Sequence, residues 1–195
     1  MFVGSGVGEF PLSSSSPIFS GRTFNGVLRY EIPEVMKNLL STTFDGGNGS
    51  FGNIVAIFAN RYLSITSLDI HLKSLAYTHV EVYTRRVLSD GYEKSMDGWR
   101  KIYDDDVQGK GLKVKTQLDA DKFQSVQVES GKYVSFYITA TKPLLRYTNG
   151  DAFGQVYASD DSLNILQGSG IGKYPLRRNS PVFKSRIFNG SFYYE

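Results

Sequence analysis

One 28-residue segment occurs twice in this chain, and that duplication restricts the architecture more than any other feature. Residues 4–31 read GSGVGEFPLSSSSPIFSGRTFNGVLRYE, and residues 168–195 read GSGIGKYPLRRNSPVFKSRIFNGSFYYE. Aligned without a gap, 15 of 28 positions are identical, and Val7/Ile171, Phe10/Tyr174 and Ile18/Val182 exchange like for like. The offset, Gly4 to Gly168, is 164 residues. The chain thus reads as one repeat plus an overlapping copy of the segment that closes it. The expected organisation is an N-terminal arm over 1–31 and a domain over 32–195, with 168–195 as the second copy. Such a plan belongs to an assembly module more than to a catalyst.

Between the copies the dominant signal is alternation of apolar and polar residues, the period of a half-buried strand. With 13 Tyr, 13 Phe and 20 Gly, the composition is that of an all-β domain with many turns. Length allows one sizeable core. The absence of cysteine removes disulfides, thiolate metal sites and thiol catalysis. A net charge of +3 from interspersed residues gives no clustered basic face for nucleic acid. No apolar run reaches the length of a membrane span, so no membrane insertion is expected. Met1-Phe2-Val3 lacks the pattern of a signal peptide.

In order, residues 1–23 read as an extended arm with turns at Pro11 and Pro17. Phe24, Gly26, Leu28 and Tyr30 alternate as a strand, in phase with Phe188, Gly190, Phe192 and Tyr194. A short helix begun at Pro33 would place Val35, Met36, Leu39 and Leu40 on one face. The inward phase of the strand around Leu63 and Ile65 slips by one to Leu68, Ile70 and Leu72, which predicts a β-bulge near Thr66–Ser67. Val126–Val128 and Val134–Ile138, joined by Ser130-Gly131, read as a hairpin. Roughly eight to eleven strands at this spacing predict an antiparallel, jelly-roll-like β-sandwich.

Candidate chemistry is sparse. His71 and His79 lie in strand patterns, His71 reading as a surface or cross-strand residue, and no nucleophile elbow is present. Asp104, Asp105 and Asp106, or Asp160 and Asp161, are carboxylates of the kind a glycosidase pairs, but runs of this type more often form solvated turns. No catalytic residues and no cofactor are therefore expected. Asp45, Asn48 and Ser50 have the odd-position spacing of a calcium loop without its closing glutamate, so a structural turn is the stronger reading. Asn48 and Asn189 head glycosylation sequons. Tyr83, Tyr92 and Tyr103 are residues on which sugar rings stack, though tyrosine is also ordinary on half-buried strands.

The strings SLDIH, VEVYT, SFYIT, LRYTNG, YASD and SPVFxxRxFNG, with GGNG and the lone Trp99, resemble a module of predicted microalgal proteins, diatoms especially. There the module recurs in tandem, each copy ending in a YP…SP…NG string. The resemblance runs from Asp45 to Tyr194 and departs from the usual pattern at Arg177-Arg178 and Asp104–Asp106. It implies architecture, not an enzymatic activity. The resulting expectation is a structural repeat that assembles with itself, as a homopolymer or with tandem neighbours, by exchange of terminal strands. Its assembly residues would be Phe19, Arg22, Phe24, Asn25, Leu28 and Tyr30 in one copy, and Phe183, Arg186, Phe188, Phe192 and Tyr194 in the other. An extracellular or cell-surface setting is favoured, with a plastid shell also open. The alternative is a carbohydrate-binding module, with glycans as partners.

Overall fold

A computed structural model describes residues 4–7, 14–23 and 38–195. The chain divides into two compact units, Met1–Glu34 and Val35–Glu195. In the first, β1 (Gly4–Val7) and β2 (Ile18–Arg22) form a two-stranded antiparallel sheet, and β2 is exposed along its length. The expected strand over Phe24–Tyr30 and the start of the proposed helix lie outside the described residues.

The second unit begins with β3 (Asn38–Ser41), β4 (Asn48–Ser50), β5 (Gly52–Ala59), β6 (Leu63–Ile70) and β7 (Tyr77–Arg85). It continues with β8 (Arg100–Gln108), β9 (Thr116–Gln117), β10 (Val126–Val128), β11 (Tyr133–Ala140) and β12 (Leu145–Asn149). It ends with β13 (Val156–Ser159), β14 (Leu163–Ile171), β15 (Val182–Phe188) and β16 (Gly190–Tyr194). These strands form two antiparallel sheets packed as a sandwich, the all-β class expected from the alternation. The smaller runs β10-β6-β16-β3, with β9 also on β6; the larger runs β4-β12-β15-β14-β5-β11-β7-β8, with β13 on β14.

The inward residues of alternating strands meet between the sheets. Val55 and Ile57, Leu68 and Ile70, Val80 and Val82, Phe136 and Ile138 are all fully buried there. Burying each such side chain contributes about 1.5–3 kcal/mol. The larger sheet is also covered on its outer face, where Ile54, Trp99, Tyr137, Ile171 and Leu176 form a second cluster joined by Tyr83, Met96 and Val182. That cover explains why β11, flanked by β5 and β7, is buried on both faces.

Four local readings are tested by these strands. The bulge is where the phase slip puts it: Tyr193 faces Ser67 but Tyr194 faces Ile65, leaving Thr66 as the extra residue. The hairpin does not form, because β10 pairs with β6 while β11 pairs with β5 and β7. Gly131, at φ +75°, turns the chain as expected but carries it from one sheet to the other. Leu39 and Leu40 belong to strand β3 and not to a helix. The Asp104–Asp106 run is not a turn but part of β8, the last strand of the larger sheet. An edge strand is where charged side chains are favoured, since they oppose pairing with a stray strand.

Over the described residues, 4–7 and 14–23, the N-terminal copy folds as its C-terminal counterpart does. Gly4 faces Arg22 as Gly168 faces Arg186, Gly6 faces Phe19 as Gly170 faces Phe183, and Val7 faces Ile18 as Ile171 faces Val182. Both hairpins break register just after the first of these pairs. Both place a left-handed residue at the break, Gly21 at φ +69° and Ser185 at φ +57°. Both also turn at equivalent residues, Ser14-Ser15 and Arg178-Asn179. Left-handed backbone costs a residue with a Cβ about 1–2 kcal/mol, while glycine adds about 0.5–1 kcal/mol of backbone entropy. Ser185→Gly is therefore expected to raise stability by about 0.5 kcal/mol in a denaturant titration; a loss above about 1 kcal/mol would mean that the hydroxyl is needed.

Candidate functional site

The C-terminal copy is built into the sandwich. Its first strand, β14, is held between β5 and β15 in the larger sheet. The chain then leaves that sheet at Phe188, passes Asn189, and enters the smaller sheet as β16, between β6 and β3. Glycines make this close approach possible. A methyl group built on Gly168 would overlap the Ile54 carbonyl oxygen, and one on Gly190 would overlap the Phe188 ring and the Asp69 carbonyl. On Gly170 it would lie 2.7 Å from the Tyr147 hydroxyl.

Phe188 and Phe192 fill the core between the sheets with Phe136, at ring-centroid distances of 5.7 Å (Phe188–Phe192) and 5.2 Å (Phe136–Phe192). Tyr194 is buried and donates its hydroxyl to Asp160 at 2.5 Å. Asp160 also accepts from the backbone of Ser162 and Leu163. Burial acts to raise its pKa, but these bonds outweigh burial and leave it below the ordinary value. Of the assembly residues assigned to this copy, Phe188, Phe192 and Tyr194 thus occupy this chain's own core. Phe183 is exposed and Arg186 half-buried, the guanidinium lying 5.7 Å from the Tyr147 ring and 5.9 Å from that of Phe183.

In the N-terminal copy, Ile18 is 70% and Phe19 46% exposed, with the Arg22 guanidinium 5.4 Å from the Phe19 ring. Phe24, Asn25, Leu28 and Tyr30 lie outside the described residues. Val182, the counterpart of Ile18, packs against the outer cluster of the larger sheet. The clue to this closing role was present in both copies, because the glycines at 4, 6 and 26 recur at 168, 170 and 190.

The other sequence candidates disperse. Asp45 engages Thr43 and Lys113, Asn48 donates to Asn149 at 2.6 Å, and Ser50 donates to the Ile171 carbonyl at 2.8 Å. The three side chains are thus bound to different partners and do not converge on a cation. Tyr103 is buried in the core, contrary to the idea of an exposed sugar platform. Tyr83 is half-buried against Tyr137, and the Tyr92 ring lies under the Arg85 guanidinium. Asn189 is fully buried beside Thr148, where no glycan fits, whereas Asn48 is exposed. Expression through a glycosylating secretory route should therefore give folded protein carrying a glycan at Asn48 and none at Asn189. Peptide mass mapping of the folded fraction reads this, and occupancy at Asn189 would contradict the placement.

His71 is not a surface residue: it is buried, and its Nε2 accepts the Lys113 backbone N–H at 2.8 Å. Burial, aided by the Arg146 charge and opposed by Asp45, lowers its pKa from the ordinary 6.5. Because the folded pKa is depressed, the unfolded chain binds a proton that the folded chain refuses. Stability should therefore decline as pH falls below about 6.5. His71→Asn should flatten the decline in denaturant titrations between pH 7 and 5; an unchanged slope would contradict it.

The richest polar cluster lies on β7 and β8. His79, Glu81 and Asp104 offer ligand atoms within 4.8 Å of one another. The Lys101 ammonium already bridges the two carboxylates, 2.6 Å from Glu81 and 2.7 Å from Asp104. These bonds raise the Lys101 pKa, led by Asp104, and the Lys101 bond lowers that of Asp104. Burial and the neighbouring Glu81 push the Tyr83 hydroxyl up to about 12. His79 spans Asp104 and Asp106 at 2.9 and 3.0 Å. The chain itself thus supplies the positive charge these acids require. The remaining carboxylates of the run serve similarly, Asp105 pairing with Lys122 at 2.7 Å.

A second acid pair faces the duplicated segment directly. Lys184 of β15 bonds Asp90 at 2.7 Å and lies 3.7 Å from Glu93 Oε1. Glu93 is buried, and that oxygen accepts no hydrogen bond among the described residues. An open pocket of about 410 Å³ is lined by Gly91, Glu93, Lys94, Val182 and Lys184. Comparison of the chain with protein-family models and with curated proteins finds no match.

Proposed function

We propose that the chain is a non-catalytic structural module joined head to tail to its neighbours, its N-terminal copy serving as the closing hairpin of an adjacent sandwich. The observation that carries this reading is the shared register, bulge and turn of the two hairpins. The pattern of identity supports it. Nine of the fifteen shared positions are buried where the segment closes the sandwich, against four of the thirteen that differ. Among the shared ones are glycines that only a close-packed neighbour requires.

The energetics point the same way. A two-stranded hairpin is marginal in water, and among the described residues β1 pairs with β2 alone. In the C-terminal copy the other edge of the equivalent strand is hydrogen-bonded to β5. Strand addition satisfies such an edge through main-chain bonds, while alternate side chains fill apolar pockets. A contact of this type is heterologous and does not close on itself, so it extends into a filament, tube or layer. A cell-surface layer, or a shell within a plastid, would use such a unit.

Deleting residues 1–30 tests the reading in material assembled with its native neighbours. Light scattering and electron microscopy should show the ordered assemblies lost while each sandwich stays folded. Assemblies unaltered by the deletion would reject it.

A further inference from the structure

Building on that reading, we infer that the sandwich in this chain discriminates between the two copies, and that the N-terminal copy is made for a body with different side chains facing it. Three positions in the closing segment carry the inference. Lys184 bonds Asp90 and lies 3.7 Å from the free oxygen of buried Glu93; the N-terminal copy has Ser20 there. A serine cannot supply the charge, and a buried carboxylate without a partner is strongly unfavourable. Ser191 is fully buried and shares a 2.9 Å hydrogen bond with Ser41; the equivalent residue, Val27, would remove that bond and leave the Ser41 hydroxyl to the Lys115 ammonium at 3.3 Å. Phe192, fully buried against Phe136 and Phe188, corresponds to Leu28, which is too small to fill the same space.

The fit is therefore specific in chemistry and not only in shape. The partner of the N-terminal copy is a sandwich of this fold that differs in at least three ways. It lacks the paired acids opposite position 184, is apolar where Ser41 stands, and has more bulk beside position 192. One substitution runs the other way: Tyr193 donates to buried Asp69 at 3.2 Å, and Arg29 in its place keeps a donor toward an acid. A carboxylate at the Asp69 position is thus common to both bodies. Identical subunits of this chain would not trade their copies freely; a related but distinct module is the one that accepts it.

The test grafts the N-terminal sequence onto the closing position of the full chain, replacing residues 168–195 with the sequence of 4–31. The grafted chain should melt about 10 °C or more below the parent. Restoring lysine, serine and phenylalanine at 184, 191 and 192 should return most of that loss, as should, in part, adding Asp90→Asn with Glu93→Gln to the graft. Should the graft fail to fold, the threefold restoration must still recover a cooperative transition. A graft as stable as the parent, or one that neither the restoration nor the neutralised acids improve, would overturn the inference. Head-to-tail joining is read separately, by deleting residues 1–30.

Discussion

Phe192→Ala should be among the most damaging single substitutions in this chain, costing about 3–5 kcal/mol and lowering the melting temperature by roughly 10 °C or more. The side chain projects from the smaller sheet, is fully buried between the two sheets and packs against two rings of the larger one, Phe136 of β11 and Phe188 of β15. Truncation removes the aromatic surface and leaves a cavity that two sheets held in register by backbone ladders cannot collapse to fill. Calorimetry of the full chain measures this. A loss below about 1 kcal/mol would mean that the closing segment is not structural, and the account of the duplicated end-piece would lose its basis.

Gly168→Ala is the second large effect. The new methyl group would meet the Ile54 carbonyl oxygen and the Val55 backbone, not a side chain that can swing away. The strain falls where β14 and β5 already shift register between Leu166 and Ser169. A cost of about 2–4 kcal/mol is expected. The equivalent change in the other copy, Gly4→Ala, should alter the melting of the isolated chain by less than about 0.5 kcal/mol, because β1 belongs to a separate two-stranded unit. In assembled material the same change should weaken joining to the neighbour. A Gly4→Ala chain that assembles normally would show that the two copies do not share a role.

Much of this fold was legible because strands announce themselves by alternation. The phase slip predicted a bulge near Thr66–Ser67, and Thr66 is the extra residue, since a one-residue shift moves every following side chain to the other face. What sequence could not supply was which strands pair. Val126–Val128 and Tyr133–Ala140 are adjacent and joined by a good turn, yet belong to different sheets. Turn chemistry fixes a change of direction, not the partner. The acidic run at Asp104–Asp106 was misleading for a related reason: on an edge strand, charge serves the exposed side and the unpaired edge together. The burial of His71, read as a surface or cross-strand residue, and of the sequon asparagine Asn189 was not legible, because their partners Lys113 and Thr148 are distant in sequence.

For the site, the duplication was visible at once, but its meaning was not. Alternation made Phe188, Phe192 and Tyr194 read as side chains for a neighbour's pockets; the sheet crossing at Asn189 places them instead in this chain's own core. The acid pair Asp90 and Glu93 gave no signal, since its partner Lys184 lies some ninety residues away on another strand.

The central claim is that the N-terminal copy closes a second sandwich, and amide hydrogen exchange at Gly4–Val7 tests it most directly. In the isolated chain these amides should exchange rapidly, as expected of a lone two-stranded sheet. In the native assembly they should be protected to the level of their counterparts Gly168–Ile171, which are held between two strands. Equal, rapid exchange at Gly4–Val7 in both states would contradict the account.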